Sequence, residues 1–178
     1  PGTALAQEST EPASRHELKN LHFFRHDMRD PFRVNYFDYV FNFFTSFGYF
    51  NTEREHNDSI SSFAQSLRPG GTLVMDYLNV QYAESQLVHQ QEIELGNVNY
   101  FITRWFDDAH FYKKIEVHDP LQEEPLIFGE KVARFTLEHF REMFASHQLE
   151  IGQVFGDYHL NRYDLQNSPR LIMVAKKL

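Results

Sequence analysis

The stretch from Phe37 to Asn79, FDYVFNFFTSFGYFNTEREHNDSISSFAQSLRPGGTLVMDYLN, constrains the fold more than any other part of the chain. Phe37 to Phe43 is almost continuously apolar and aromatic, the pattern of a strand buried on both faces of a parallel sheet. Thr52-Glu53-Arg54-Glu55 is a capping box that opens a helix. Ile60, Phe63, Ala64 and Leu67 then recur at helical spacing and give that helix one apolar face. Arg68-Pro69-Gly70-Gly71 stops the helix and turns the chain. Thr72 to Met75 is a second apolar strand, ending in Asp76-Tyr77-Leu78-Asn79. A crossover of this kind joins parallel strands with a right hand. Open α/β sheets bind ligands outside the carboxyl ends of such strands. Those ends carry Asn42, Thr45 and Ser46 after one strand and Asp76, Tyr77 and Asn79 after the other.

The length of 178 residues fits one domain, and such a chain can bury about 70% of its unfolded surface. The net charge of −8 argues against a broad nucleic-acid face, because phosphate contacts need clustered Lys and Arg. With no cysteine, a disulfide framework, a thiolate metal site and a thiol nucleophile are all excluded. The ten histidines are scattered and form no H-x-x-x-H or H-E-x-x-H helix, so no metal site is expected. There is no G-x-S-x-G nucleophile elbow. No apolar run reaches the roughly 18 residues of a membrane span, and no signal peptide opens the sequence. A cytoplasmic, membrane-free protein is the expectation. The eighteen phenylalanines read mainly as core.

Along the chain, Ala4 to Leu18 is a polar helix candidate interrupted by Pro12. Leu21 to His26 reads as a short strand with a turn-rich exit through Asp27-Met28-Arg29-Asp30-Pro31-Phe32. After the crossover, Val80 to Gln90 reads as a helix. Gln91 to Leu95, Val98 to Phe106, His110 to Val117 and Leu126 to Arg134 alternate with period two and predict a small antiparallel sheet or lid over 91–134. Thr136 caps a helix whose apolar face is Leu137, Phe140, Met143 and Phe144. Leu149 to Tyr158 and Arg170 to Lys176 close the chain as two strands, joined by a polar loop over 159–169.

FFRHDMRDPF, FDYVFNFFTSFGYF and LRPGGTLVMDYLN, with the closing helix and two strands, together resemble the class I S-adenosylmethionine-dependent methyltransferases. The resemblance runs from about Leu21 to the end and rests on the order and spacing of the segments. It implies an α/β, Rossmann-like fold: a mostly parallel sheet flanked by helices, an antiparallel lid insertion, and an antiparallel C-terminal strand pair. One departure stands out. The family's first strand, its glycine-rich G-x-G-x-G loop and the acidic residue that follows are not in this sequence. Gly70 and Gly71 sit after a helix and before a strand, the wrong context for that loop. The resemblance therefore implies a single but incomplete domain over 1–178, with its front strands missing.

The resemblance places S-adenosylmethionine against Asp27 and Met28, at the adenine, and along Asn42, Phe43 and Phe44, near the sulfonium. Asp27 has the lone pairs to accept from an amino group, but it also reads as a loop aspartate capping backbone N–H groups. An aromatic face near a cation is favourable by about 0.5–2 kcal/mol, whereas core packing explains the Phe pair equally well. Thr45, Ser46, Tyr77 and Asn79 fall on the acceptor side, with a helix N-cap as the other reading of Asn79. In the lid, Arg104, Trp105 and Tyr112 are candidates, and alternation prevents all three from pointing inward. Tyr158, His159 and Arg162 sit in the late loop. Tyr49, Asp76 and His159 are the candidate bases for an acceptor proton.

The implied reaction is methyl transfer to a small-molecule acceptor, and oligomerisation stays open. The rival reading is a non-catalytic α/β interaction or dimerisation module on the same scaffold, since fold does not imply function. A nucleotide-dependent oxidoreductase would also need a glycine-rich loop.

Overall fold

The computed structural model describes residues 20–178. The helix expected over 4–18 lies outside the described residues. Two four-stranded sheets carry the fold. The first has the order β1 (Phe37–Asn42), β2 (Leu67–Leu78), β8 (Arg170–Lys177), β7 (Leu149–Phe155). The second is a meander of β3 (Gln90–Leu95), β4 (Val98–Phe106), β5 (His110–His118) and β6 (Leu126–Ala133). Helix α1 (Glu53–Ser66) joins β1 to β2. The one-and-a-half-turn α2 (Val80–Ser85) follows β2, and α3 (Leu137–Ala145) leads into β7.

Local chemistry explains α1. Thr52 Oγ1 accepts from the Glu55 amide at 3.2 Å, and the Glu55 carboxylate accepts from the Thr52 amide at 3.0 Å. This closes the expected capping box. Ile60, Phe63 and Ala64 face inward with Leu67. In α3, Thr136 caps as expected, but its reciprocal partner is the His139 ring, which accepts from the Thr136 amide at 3.0 Å. Phe140 and Phe144 are fully buried, each burial being worth about 1.5–3 kcal/mol. They meet Leu73, Met75 and Tyr77 of β2 and Leu171, Met173 and Ala175 of β8, so α1 and α3 share one face of the first sheet. At Gly48 (φ +103°), a Cβ would stand 2.5 Å from the Tyr77 hydroxyl. That hydroxyl donates to the Ala133 carbonyl and ties the second sheet to the core.

Several expectations need correction. The sheet is not mostly parallel: β1–β2 is its one parallel pair, and every other pair in both sheets is antiparallel. A parallel pair needs a crossover, and α1 supplies the one such crossover among the described residues. Leu21 to His26 forms no strand. No described strand lies beside it, and an extended segment without a neighbour has no ladder to join. Nor is β1 buried on both faces. It is an edge strand, with Tyr39 60% and Phe41 55% exposed; the strand buried on both faces is β8, where Leu171, Ile172, Met173 and Ala175 are all inside. Arg68-Pro69-Gly70-Gly71 belongs to β2 as a bulge opposite Phe37–Tyr39 rather than to a free turn. Gly70 takes the positive φ (+75°) there, as bulges often require. Helix α2 ends at Ser85, well short of Gln90. The lid strands and the two closing strands form as expected, but the lid is a separate sheet.

His56 was not anticipated in the core. Its ring sits among Phe47, Phe50 and Phe135, with centroids 5.2, 5.4 and 4.8 Å away. Nδ1 lies 2.9 Å from the Thr52 carbonyl, and Nε2 has no partner. Burial pushes its pKa below the usual histidine value, so the unfolded chain binds this proton more readily than the native one. Stability from a neutral His56 is therefore full above the unfolded pKa of about 6.5 and declines as the pH falls below it. Urea unfolding between about pH 7 and pH 5 should show stability falling with acidity, and His56→Phe should flatten that slope. In the same assay Thr52→Ala should cost about 1 kcal/mol, the usual loss for a helix cap.

Candidate functional site

The parallel register of β1 and β2 brings their carboxyl ends together, with Asn42 opposite Met75 and one residue from Asp76. The chain leaves β1 through a tight turn in which Phe44 (φ 58°) and Thr45 (φ 57°) are both left-handed. That conformation is strained for a β-branched residue and persists only where surroundings enforce it. Asp76 enforces it. Its carboxylate accepts from the Phe44 amide at 2.8 Å, and its carbonyl accepts from the Thr45 amide at 3.2 Å.

Asp76 has no exposed surface. Two more donors complete its shell: Arg170 Nε at 2.7 Å and the Tyr158 hydroxyl at 2.8 Å. Arg170 also donates to Thr45 Oγ1 at 2.8 Å. One carboxylate thus fastens the exit of β1, the end of β2, the start of β8 and the loop after β7. Burial, and then the bond to Asp76, raises the Tyr158 pKa above the ordinary tyrosine value. Next to this cluster Asn42 is buried, and its Oδ1 has no hydrogen-bond partner. A buried acceptor left unpaired costs about 1–3 kcal/mol. Phe43 and Phe44 are exposed beside it, and Phe44 meets the Tyr158 ring edge-on at 6.3 Å.

A strap over 156–168 carries Tyr158 to the cluster. Asn79 holds it: buried at the end of β2, its Nδ2 donates to the carbonyls of Leu165 (2.9 Å) and Ser168 (2.8 Å), and its Oδ1 accepts from Tyr163 at 3.3 Å. The residue occupies the N-cap position of α2 without capping it. Both Nδ2 protons are thus spent on the strap. The Tyr77 side chain points away from Asp76 into the core and is fully buried, because neighbours in a strand face opposite sides; burial raises its pKa. It is a core residue and not a substrate contact.

The remaining candidates scatter. Ser46 is exposed and donates to the Phe43 carbonyl. Tyr49 is half-exposed beside the lid, its pKa raised by burial and by the Glu130 charge. His159 and Arg162 are exposed on the strap, and Arg162 bridges Phe155 through its backbone. Arg104 ties β4 to the start of β3, donating to Gln91 at 3.1 Å. Trp105 and Tyr112 stack at 5.2 Å on the lid. Asp27 is gripped by Arg29, whose side chain donates to it at 3.0 and 2.6 Å. Those bonds hold its carboxyl down at about 2. The turn is docked to α1 through Arg29 and Glu55, 2.6 Å apart, and Met28 packs against the core. No described contact joins Asp27 or Met28 to the Asp76 cluster. Arg170 was missed by the sequence reading; the signal was a lone cation opening the otherwise apolar run LIMVA.

No family model and no curated protein matches the sequence. Solved structures do match. A S-adenosylmethionine-dependent methyltransferase from Clostridium acetobutylicum aligns with TM-score 0.71 and 14% identity over 98% of this chain and 68% of its own. The CcbJ methyltransferase from Streptomyces caelestis aligns at 0.69 and 17%, over 85% of this chain and 62% of its own. An amino pentose methyltransferase of calicheamicin biosynthesis from Micromonospora echinaspora, solved with S-adenosylmethionine bound, aligns at 0.63 and 20%, over 92% and 68%. The chain has the fold of class I S-adenosylmethionine-dependent methyltransferases, and it spans about two thirds of the length of these neighbours.

Removing the Arg170 cation would leave Asp76 buried and unpaired. Arg170→Met should lower stability by about 3 kcal/mol in urea unfolding. Adding Asp76→Asn should recover part of that loss, because the uncompensated charge is then gone.

Proposed function

We propose that this protein binds S-adenosylmethionine across the carboxyl ends of β1 and β2 and transfers its methyl group to a small-molecule acceptor. The observation that carries the reading is the unpaired Asn42 Oδ1, buried beside an enforced left-handed turn where open α/β sheets bind ligands. The residues present fit the cofactor: Asn42 offers an unused acceptor, and Phe43 and Phe44 offer exposed aromatic faces that suit a cation. Asp27 keeps lone pairs beyond those that Arg29 uses and remains the candidate for the adenine amino group. The bound cofactor would supply an activated electrophilic methyl.

The protein's own work is then positioning and proton handling. Asp76, with three donors around its carboxylate, is a positioning residue: it sets the Phe44–Thr45 turn and holds Tyr158 over the site. The raised pKa of Tyr49 makes it a poor base near neutral pH. His159, exposed on the strap, is left as the acceptor of a proton from an N–H or O–H substrate. Tyr158 and Ser46 lie on the side where the acceptor enters. A small acceptor is supported by the neighbours, one of which acts on an amino pentose, and by the acidic net charge of −8.

Calorimetric titration of S-adenosylhomocysteine into the 178-residue chain tests the reading. Micromolar binding is expected, weakened several-fold by Asp27→Ala and by Asn42→Leu with the fold intact. Absence of binding would instead favour the non-catalytic module. Binding that neither substitution changes would move the site elsewhere.

A further inference from the structure

The Glu55 carboxylate joins two parts of the chain. Its Oε2 accepts from the Asn51 amide at 3.1 Å and from the Thr52 amide and hydroxyl at 3.0 Å each. Those bonds pin the end of the segment that leaves β1 through the Phe44–Thr45 turn. Its Oε1 accepts from Arg29 Nη1 at 2.6 Å. Arg29 in turn donates to Asp27 through Nε at 3.0 Å and Nη2 at 2.6 Å. The guanidinium carbon also lies 5.3 Å from the centroid of the Phe50 ring, on the same segment as Asn51. Arg29 thus stands between two carboxylates and over an aromatic face. A planar fork held on three sides keeps one orientation, which a flexible ammonium does not reproduce. The Asp30 amide, donating to the Asp27 carbonyl at 3.1 Å, closes the turn.

A carboxylate offers about four lone-pair sites. At Asp27, Oδ1 accepts from the Arg29 amide and from Nε, both at 3.0 Å, and Oδ2 accepts from Nη2. The site left open is on Oδ2. One cation between two carboxylates leaves a net negative charge, and the Arg29 bonds that hold the Asp27 carboxyl down at about 2 keep it ionised at neutral pH. An ionised oxygen with one open lone pair accepts an N–H and repels a carbonyl oxygen. Asp27 also borders a polar cavity of about 460 Å³, whose other wall is Asp58, Ser61 and Gln65 of α1. That volume falls in the range of small-molecule sites.

We infer that Arg29 and Glu55 are positioning residues: they fix the open Oδ2 acceptor of Asp27 relative to the Asn42–Thr45 turn, and so make the exocyclic amino group of the bound nucleoside the point of selection. The inference rests on the reading of Asp27 as the partner of the adenine in S-adenosylmethionine. Neither positioning residue touches the ligand in this role. Arg29 sets the direction of the open lone pair. Glu55 sets its distance from the exit of β1, because it holds both the 27–30 turn, through Arg29, and the chain at Asn51 and Thr52. A ligand that spans the two places meets ends already set in position, which lowers the ordering cost of binding.

Calorimetric titration of the intact chain with S-adenosylhomocysteine and with S-inosylhomocysteine, whose purine carries a carbonyl in place of the amino group, tests this. The unaltered protein should prefer the adenine ligand by about tenfold, the worth of one hydrogen bond to a charged group. Arg29→Met should bring that ratio close to one with an unchanged far-ultraviolet dichroism spectrum. Arg29→Lys, which keeps the charge but not the fork, should fall between them. Glu55→Gln should also lower the ratio. Thr52→Ala, which weakens the cap of α1 but leaves Glu55 on Arg29, should not. If Arg29→Met weakens both ligands alike and keeps the ratio, its part is purely structural; the inference is overturned and the cofactor reading stands. A ratio lost as fully in Thr52→Ala overturns it in the same way. An unaltered protein that binds neither ligand removes the cofactor reading and the inference with it, and one that binds both equally removes Asp27 from the adenine and the inference with it.

Discussion

The ion pair between Asp76 and Arg170 is the contact on which the site depends. A carboxylate without solvent must be surrounded by donors. Here those donors come from the turn after β1, the first residue of β8 and the strap after β7. Each is far from Asp76 in sequence, so satisfying one buried charge forces separate segments into one place. The left-handed pair Phe44–Thr45 is held against its own preference by the same group. The pair contributes specificity of geometry more than net stability, since two ions taken from water roughly offset their own attraction.

A second constraint is what each sheet leaves uncovered. Helices α1 and α3 cover one face of the first sheet and bury an aromatic cluster of Phe47, Tyr77, Phe135 and Phe140. On the other side, Tyr39, Phe41 and Phe43 form a stacked row along the open edge of β1, with centroids 6.0 and 5.3 Å apart. The composition of β1 suits a strand flanked on both sides, yet its position in the described chain is an edge.

Local patterns were the legible part. The capping box at Thr52, the N-cap at Thr136, the helical spacing of Ile60, Phe63 and Ala64, and the period-two alternation from Gln91 to Arg134 each predict an element from neighbouring residues alone, and those elements form. The expected strand at Leu21 to His26 fails because a strand's stability lies in its neighbours. Tyr77 and Asn79 were read as site residues because they end a strand; burial turned one into core and the other into the anchor of the strap. Arg170 went unread because a cation at the start of an apolar strand looks like a solvated end until its partner is known.

The sequence by itself determined where α1, α3 and the lid strands form, and that the carboxyl ends of β1 and β2 fall near Asn42 and Asp76. These follow from hydrogen bonds and side-chain spacing within a few residues. Only the tertiary structure decided that β8 rather than β1 runs through the middle, that the lid stands as a separate sheet, and that Asp76 is enclosed by Arg170, Tyr158 and the Phe44 amide. Sheet order and charge burial are set by contacts between residues far apart in sequence: β2 pairs with β8, and Asp76 meets Arg170 across 94 positions. The free energy of such contacts depends on desolvation, which no local pattern of residues records.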